Sequence, residues 1–534
     1  MIYSKSISTS TPVSKENINP YLLPSENEIP KECFLCQRTC SNLCPDCKSV
    51  YICSEEHGRL HRHEDGLKCY SYRASSKPGI GRILISTRTI KPGEIILLDP
   101  GTVTGPNYSP TSHVCLECLS PNERDTCSNC GLSLCSICQG VNVLHTPEEC
   151  RILSKKDWSR SFIPYPLITP LRLLLKMEME TDDWNRANQL MDHYKERSSD
   201  KEDWDWYQNH VVNVLRNDLG LNNRFSEKEI HRAIGLMNVN AVALQFPKFS
   251  SSSSFAEGSK VQDKVGKGLF PIFAIMSHYC VCNARYQIHP KNMKMYVRAR
   301  GFIKKGEEIS VQYLSALYGN FIRRRKIRED WYFDCVCSRC KDSTERGSYV
   351  SAIYCDSCYG GLMLPKEPLD YESPWICDKC HALHNVSEII SLVQSLETEL
   401  NDVAKNKTYD KYEDFIDKYS ETLLHSSHYL LMTAKRNLIQ YWTYGISNEA
   451  LSLVQLEKKV EMCHDFLAVL TKIDPGCSEL RNFIQREYNY SKLTLCKINY
   501  ELGYIGKEEF AFESRACLGA LTDVERNMKL LSFD

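Results

Sequence analysis

Cysteine and histidine supply most of the chemistry this chain could perform. Twenty-three of its 27 cysteines precede residue 381, mostly as Cys-x-x-Cys pairs. Such a pair offers two sulfur donors to one tetrahedral cation, so two pairs, or a pair with histidine, complete a zinc site. The first group contains Cys33, Cys36, Cys40, Cys44, Cys47, Cys53, His57, His61, His63 and Cys69, enough for two sites. The second contains Cys115, Cys118, Cys127, Cys130, Cys135, Cys138, His145 and Cys150, eight donors with too little apolar sequence between them for an independent core. Metal must therefore organise that segment. Cys335, Cys337 and Cys340 form a triad one ligand short of a closed site, with Cys280 the candidate fourth. Cys355, Cys358, Cys377 and Cys380 repeat Cys-x-x-Cys in the manner of a zinc ribbon. These groups together predict about six zinc sites at four donors each. Cys463, Cys477, Cys496 and Cys517 stand alone in helical sequence and read as small core hydrophobes.

Such ligand sets require reduced thiols. The N-terminal sequence shows neither an apolar core nor a small-residue cleavage site, so the expectation is an intracellular protein of nucleus and cytoplasm. No run approaches the roughly 18 apolar residues of a membrane span. Lysine plus arginine number 66 against 67 acids, a net charge of −1, which argues against a chain-wide nucleic-acid footprint. The fingers also lack a helix-borne base-reading pattern, so direct DNA binding is not expected. The basic run Arg323, Arg324, Arg325, Lys326 and Arg328 reads as a solvated helix face.

The elements that must hold these groups alternate in type. At 534 residues the chain predicts several modules, and 42% hydrophobic composition is enough for large cores. Residues 1–30 and the run Ser250–Ser254 read as disordered or loop sequence. Residues 80–99 alternate β-branched and polar side chains around Lys91-Pro92-Gly93, which predicts a hairpin. A second strand pair is expected around Lys304-Lys305-Gly306. From Pro166 to Leu221 apolar residues recur three or four apart, an inserted helical layer, and beyond Asn385 amphipathic helices continue to the end.

The group from 115 to 150 resembles a MYND finger. That resemblance implies interleaved sites, Cys115, Cys118, Cys135 and Cys138 in one, Cys127, Cys130, His145 and Cys150 in the other. The group from 33 to 69 looks like a second, divergent MYND finger with His57 where cysteine is usual, either His61 or His63 completing its second site, and Cys40 spare. The segments GLFPIFAIMSHYCVCNARYQI, VRARGFIKKGEEISVQY and REDWYFDCVCSRC resemble a SET core with its post-SET zinc site. The whole chain then resembles the SMYD family of protein-lysine methyltransferases, most of all its arthropod SmydA branch.

The resemblance implies an α+β protein: a disordered tail (1–30), a divergent finger (31–70), the SET N-terminal part (71–112), the MYND finger (113–152), a helical insert (153–235), the SET core (236–327), a post-SET segment (328–345), a zinc-ribbon-like segment (346–385) and a TPR-like all-α domain (386–534). It implies S-adenosylmethionine as cofactor, with Gly81, Arg82, Asn240, Ser277, His278, Tyr313 and Phe333 around it, and Tyr313 and Trp331 as catalytic channel residues. Acceptor proteins bearing lysine, histones among them, and peptide partners of the fingers and helical domain are expected.

Four positions depart from the family pattern. Ser277 replaces asparagine, Tyr279 a small residue, Cys282 proline, and Trp331 a second channel tyrosine. A competing expectation is therefore a weak or inactive adaptor, such as a transcriptional corepressor.

Overall fold

The computed structural model describes residues 31–63, 66, 68–107, 113–122, 125–158, 165–244, 266–290, 292–406, 410–446 and 448–531. The expected tail 1–30 and the serine run lie outside the described residues. Three small sheets build the central body. The first has the order β1-β2-β10-β7, from β1 (Tyr72–Lys77), β2 (Gly81–Ser86), β10 (Glu308–Val311) and β7 (Ser277–His278). The second is β3-β9-β8, from β3 (Ile95–Asp99), β9 (Met295–Ala299) and β8 (Ala284–Ile288). The third is β4-β6-β5, from β4 (Val103–Pro106), β6 (Gly266–Leu269) and β5 (Ala241–Leu244).

The hairpin expected over 80–99 does not form. β2 pairs with β1, tightly joined from Lys77 to Gly81, and with β10, whereas β3 pairs with β9 in another sheet. The reason is Ile90, buried and bridged to Ile303, which carries the chain from one sheet to the next. The pair expected around Lys304-Lys305-Gly306 is divided in the same way, β9 going to one sheet and β10 to the other. In both places the turn residues are right, and burial of both strands against non-local partners wins over the local hairpin.

β7 and β10 run parallel, Ser277 beside Ser310 and His278 beside Val311. Asn283 braces them: Ser310 N–H donates to Oδ1 at 2.9 Å, and Nδ2 donates to the Glu308 carbonyl at 2.8 Å. The inserted helices Tyr165–Glu178 and Glu227–Asn240 share one core with the finger at 114–153. The latter starts on a Ser226–Glu229 capping box and passes directly into β5, which fixes Asn240 at the helix–strand junction.

Beyond the body, β11 (Ile353–Tyr354), β12 (Leu362–Pro365), β13 (Trp375–Cys377) and β14 (Leu383–His384) form a four-stranded antiparallel ribbon. Helices Val386–Asn406, Lys411–Tyr419, Tyr429–Tyr441, Leu453–Ile473, Glu479–Glu501 and Lys507–Leu531 follow. Gly476, with φ +83°, lies between the helices Leu453–Ile473 and Glu479–Glu501 and packs against the segment after β9, where a Cβ would meet the Arg300 carbonyl at 2.7 Å. Arg300 itself pairs with Asp474, both nearly buried. Among the described residues no helix is long and apolar enough to cross a membrane. The chain is an α+β protein with clustered Cys/His sites and an all-helical C-terminal region.

Candidate active site and metal centres

The metal-donor groups converge as sets of four. Cys33, Cys36, Cys53 and His57 form one, and Cys44, Cys47, His61 and Cys69 another. The second finger gives Cys115, Cys118, Cys135 and Cys138, then Cys127, Cys130, His145 and Cys150. Cys280, Cys335, Cys337 and Cys340 make the fifth named set. Cys355 lies 3.6 Å from Cys380, and Cys358 lies 3.7 Å from Cys377, sulfur to sulfur. His61, not His63, completes its set; His63 instead stacks on Tyr70. Cys40 joins none of the named sets, and no cysteine forms a disulfide.

These donor sets fit zinc. A Zn–S bond of about 2.3 Å places the sulfurs of a tetrahedron about 3.8 Å apart. The pairs Cys44–Cys69, Cys118–Cys135 and Cys280–Cys335 stand at 3.8, 3.9 and 3.8 Å. His145 shows the usual outer partner of a zinc-binding imidazole: Nε2 faces Cys130, while Nδ1 lies 2.9 Å from the buried Glu149 carboxylate. Arg172 holds that carboxylate from its other side at 2.6 Å.

Around the fifth set the reading of a solvated basic face fails. Arg323 is fully buried, and its Nε donates to Cys280 Sγ at 2.9 Å while Nη2 reaches Cys340 at 3.5 Å. Glu345 pairs with both Arg323 and the equally buried Arg339. Arg324 is also buried, its side chain over the Tyr371 ring; of the run, Arg328 remains the most exposed, at 54% of its side chain. Four thiolates around a divalent ion carry net negative charge, and the buried guanidinium balances it, which periodicity alone does not reveal.

A cavity of about 1340 Å³ opens beside this cluster. Gly81, Arg82, Asn240, Tyr313, Trp331 and Phe333 all line it. Gly81 has φ +95° with open space at its Cβ position, a close-approach geometry glycine adopts without strain. Arg82 donates to the side chain and carbonyl of Gln189 at 3.0 and 2.8 Å, and Asn240 Nδ2 donates to the Met191 carbonyl at 2.8 Å. The inserted segment 189–191 thus holds both. Tyr332, left-handed at φ 59°, ends the helix Asn320–Trp331 and turns the chain so that Trp331 and Phe333 both reach the cavity.

Tyr313 donates its hydroxyl to the Met276 carbonyl at 2.7 Å, and its ring lies 5.1 Å from that of Trp331. Burial pushes the phenol well above its usual range, so it stays protonated. Ser277 and His278 do not line the cavity wall. Ser277 Oγ is buried without a hydrogen-bond partner among the described residues. His278 lies behind Tyr313: Nδ1 accepts the Tyr313 N–H at 3.0 Å, and Nε2 stands 3.3 Å from Cys280 Sγ. Burial holds this imidazole down at about 4, so it is neutral, and the hydrogen on Nε2 points at sulfur.

One positioning residue escaped sequence reasoning. Asp99, the single acid closing the apolar strand β3, is fully buried and accepts N–H groups from Gly101, Ile272 and Phe273 at 2.9, 2.7 and 2.9 Å. It anchors the segment that leads into β7. A lone carboxylate at the end of an apolar run was the available signal.

Comparison with known proteins agrees with this geometry. The SET-domain family matches residues 81–314, which span the cavity wall from Gly81 to Leu314. SmydA-8 isoform A of Drosophila melanogaster is 24% identical over 78% of this chain and 88% of its own length. Histone-lysine N-methyltransferase ASHR1 of Arabidopsis thaliana is 25% identical over 68% of this chain and 77% of its own. N-lysine methyltransferase SMYD2-B of Xenopus laevis is 25% identical over 49% of this chain and 59% of its own. Residues 81–314 of this chain thus form a SET domain. A Cys/His-rich finger, a four-cysteine cluster and a helical C-terminal region accompany that domain, and the relatives this chain resembles include SmydA and SMYD proteins.

Proposed function

We propose that this chain is an S-adenosylmethionine-dependent protein-lysine methyltransferase with structural zinc in its Cys/His clusters. The observation that carries the reading is the convergence of Gly81, Arg82, Asn240, Tyr313, Trp331 and Phe333, from separate segments, on one cavity. The cofactor would supply a methyl group activated on a sulfonium. Gly81, Arg82 and Asn240 would hold its amino-acid end, and Phe333 would cover its adenine. Tyr313 spends its proton on Met276, which leaves oxygen lone pairs as acceptors beside the moving methyl. Tyr313 and Trp331 would wall a channel for the lysine stem, with cation–π attraction of about 0.5–2 kcal/mol while the amine is charged. Orientation of a neutral amine is then the main work left to the protein. Proteins bearing lysine are the substrate class, histones among the candidates.

Calorimetry with S-adenosylhomocysteine and transfer of labelled methyl to lysine in a cell extract test this reading. Tyr313→Phe should lower transfer by about 10²–10³-fold, the usual cost of one positioned polar group. A protein that neither binds the cofactor product nor transfers methyl ends the reading.

A weak or inactive adaptor is the second reading. Its support is Ser277, whose buried hydroxyl meets no partner and no cavity, and Trp331, whose indole N–H can donate but not accept. Single-turnover transfer abolished by Tyr313→Phe would count against it.

A further inference from the structure

Lys267 occupies β6, the central strand of its sheet, in register with Gly105 on one side and Ala243 on the other. Neither neighbour carries a charge, and no charged group among the described residues acts on the Lys267 ammonium. It lines the same cavity as Tyr313 and Trp331. Burial alone pushes its ammonium down to about 8, with no neighbouring charge acting on it. The two acids on the cavity wall, Asp330 and Glu479, do not pair with it. Half-buried on the cavity wall, this cation can pair with an anion that enters the cavity.

The size and the register say where that anion comes from. Small-molecule pockets usually enclose about 300–1,000 Å³, so 1340 Å³ leaves room beside a cofactor for part of a second ligand. Asn240 immediately precedes β5, and Ala243, the partner of Lys267, lies three residues further on. At about 3.3 Å per residue, Lys267 stands about 10 Å along the sheet from Asn240, away from the cofactor's expected amino-acid end.

We propose that Lys267 is a specificity-determining residue that receives a carboxylate of the methyl acceptor, an Asp or Glu side chain near the target lysine. The inference rests on the methyltransferase reading. A charge-assisted hydrogen bond in a cavity favours the acid over its amide by about tenfold or more.

The test compares the intact protein with Lys267→Met and Lys267→Arg. Two lysine-centred peptide pools, identical except that Glu in one is Gln in the other, are titrated by fluorescence anisotropy with S-adenosylhomocysteine present. Calorimetry measures S-adenosylhomocysteine alone, and thermal melts check folding. The wild type and Lys267→Arg should prefer the Glu pool about tenfold or more, Lys267→Met should bind both pools alike, and all three should bind S-adenosylhomocysteine equally. If Lys267→Met instead weakens S-adenosylhomocysteine with no pool preference in any form, the carboxylate is the cofactor's and the acceptor assignment is overturned. Equal behaviour of wild type and Lys267→Met in both arms overturns the site. A wild type that binds no S-adenosylhomocysteine sinks the methyltransferase reading separately, while the pools still report on Lys267.

Discussion

The imidazole of His278 accepts the backbone N–H of Tyr313 on Nδ1 at 3.0 Å. Its other nitrogen faces Cys280 at 3.3 Å, so one ring links the wall of the cavity to the tetrathiolate cluster. His278→Ala would leave the Tyr313 N–H unpaired in a buried place, at a cost of about 1–3 kcal/mol. We expect a lower chemical-denaturation midpoint and weaker S-adenosylhomocysteine binding in that variant. His278→Asn, which retains an acceptor, should recover part of both.

Arg323 should govern metal retention at the fifth cluster. Its guanidinium touches Cys280, Cys340 and Glu345. Arg323→Met strands buried negative charge, and losing one partner of a buried pair costs about 3–5 kcal/mol. The expected outcome is faster zinc release to a colorimetric chelator, with one equivalent leaving ahead of the rest. Release indistinguishable from wild type would rule out the charge-balancing role.

Asp99 should show an unusual pH signature. Burial raises its carboxyl to about 6 in spite of three N–H donors. A carboxyl whose folded-state value exceeds its unfolded value, about 3.9, takes up its proton more readily when folded. Its contribution is therefore greatest below about pH 3.9 and is lost as pH rises to about 6. Asp99→Asn should remove that slope from urea-unfolding energies measured across the interval. At pH 7.5 the same variant should be less stable by about 1–3 kcal/mol, because an amide nitrogen then faces a backbone N–H.

His428 should give the opposite sign. It is fully buried, its Nδ1 accepts Leu430 N–H at the start of the helix Tyr429–Tyr441, and burial lowers it to about 3. The unfolded chain protonates at about 6.5, so the stabilising contribution is complete above that value and lost as pH falls towards 3. Between pH 7 and pH 5 the wild type should lose about 2 kcal/mol relative to His428→Asn, which keeps a capping oxygen but does not titrate. Urea unfolding followed by helical circular dichroism reads the difference.

The donor residues were legible in the sequence because ligand spacing is local, Cys-x-x-Cys fixing two donors within one turn of chain, whereas their division into interleaved sets came from the resemblance to a MYND finger. The helical insert and C-terminal helices were legible by periodicity. What failed was non-local. Strands flanking Lys91-Pro92-Gly93 and Lys304-Lys305-Gly306 carry good hairpin signals, yet each joins a partner hundreds of residues away or in another sheet. Arg323 carries nothing in its neighbours to announce a cluster assembled from Cys280 and Cys340. Whether His61 or His63 is a donor depended on the direction of one short helix, Glu55–His61, which turns His61 into the buried set.

The two donor sets of each finger interlace along the chain, their pairs alternating with each other. Capturing the first ion therefore shortens the loops that the second must close, and loop closure becomes less costly as the span shrinks. Loading of a finger should be mutually reinforcing: half-filled fingers are scarce at equilibrium, and metal scarcity in a cell would empty whole fingers and leave others full.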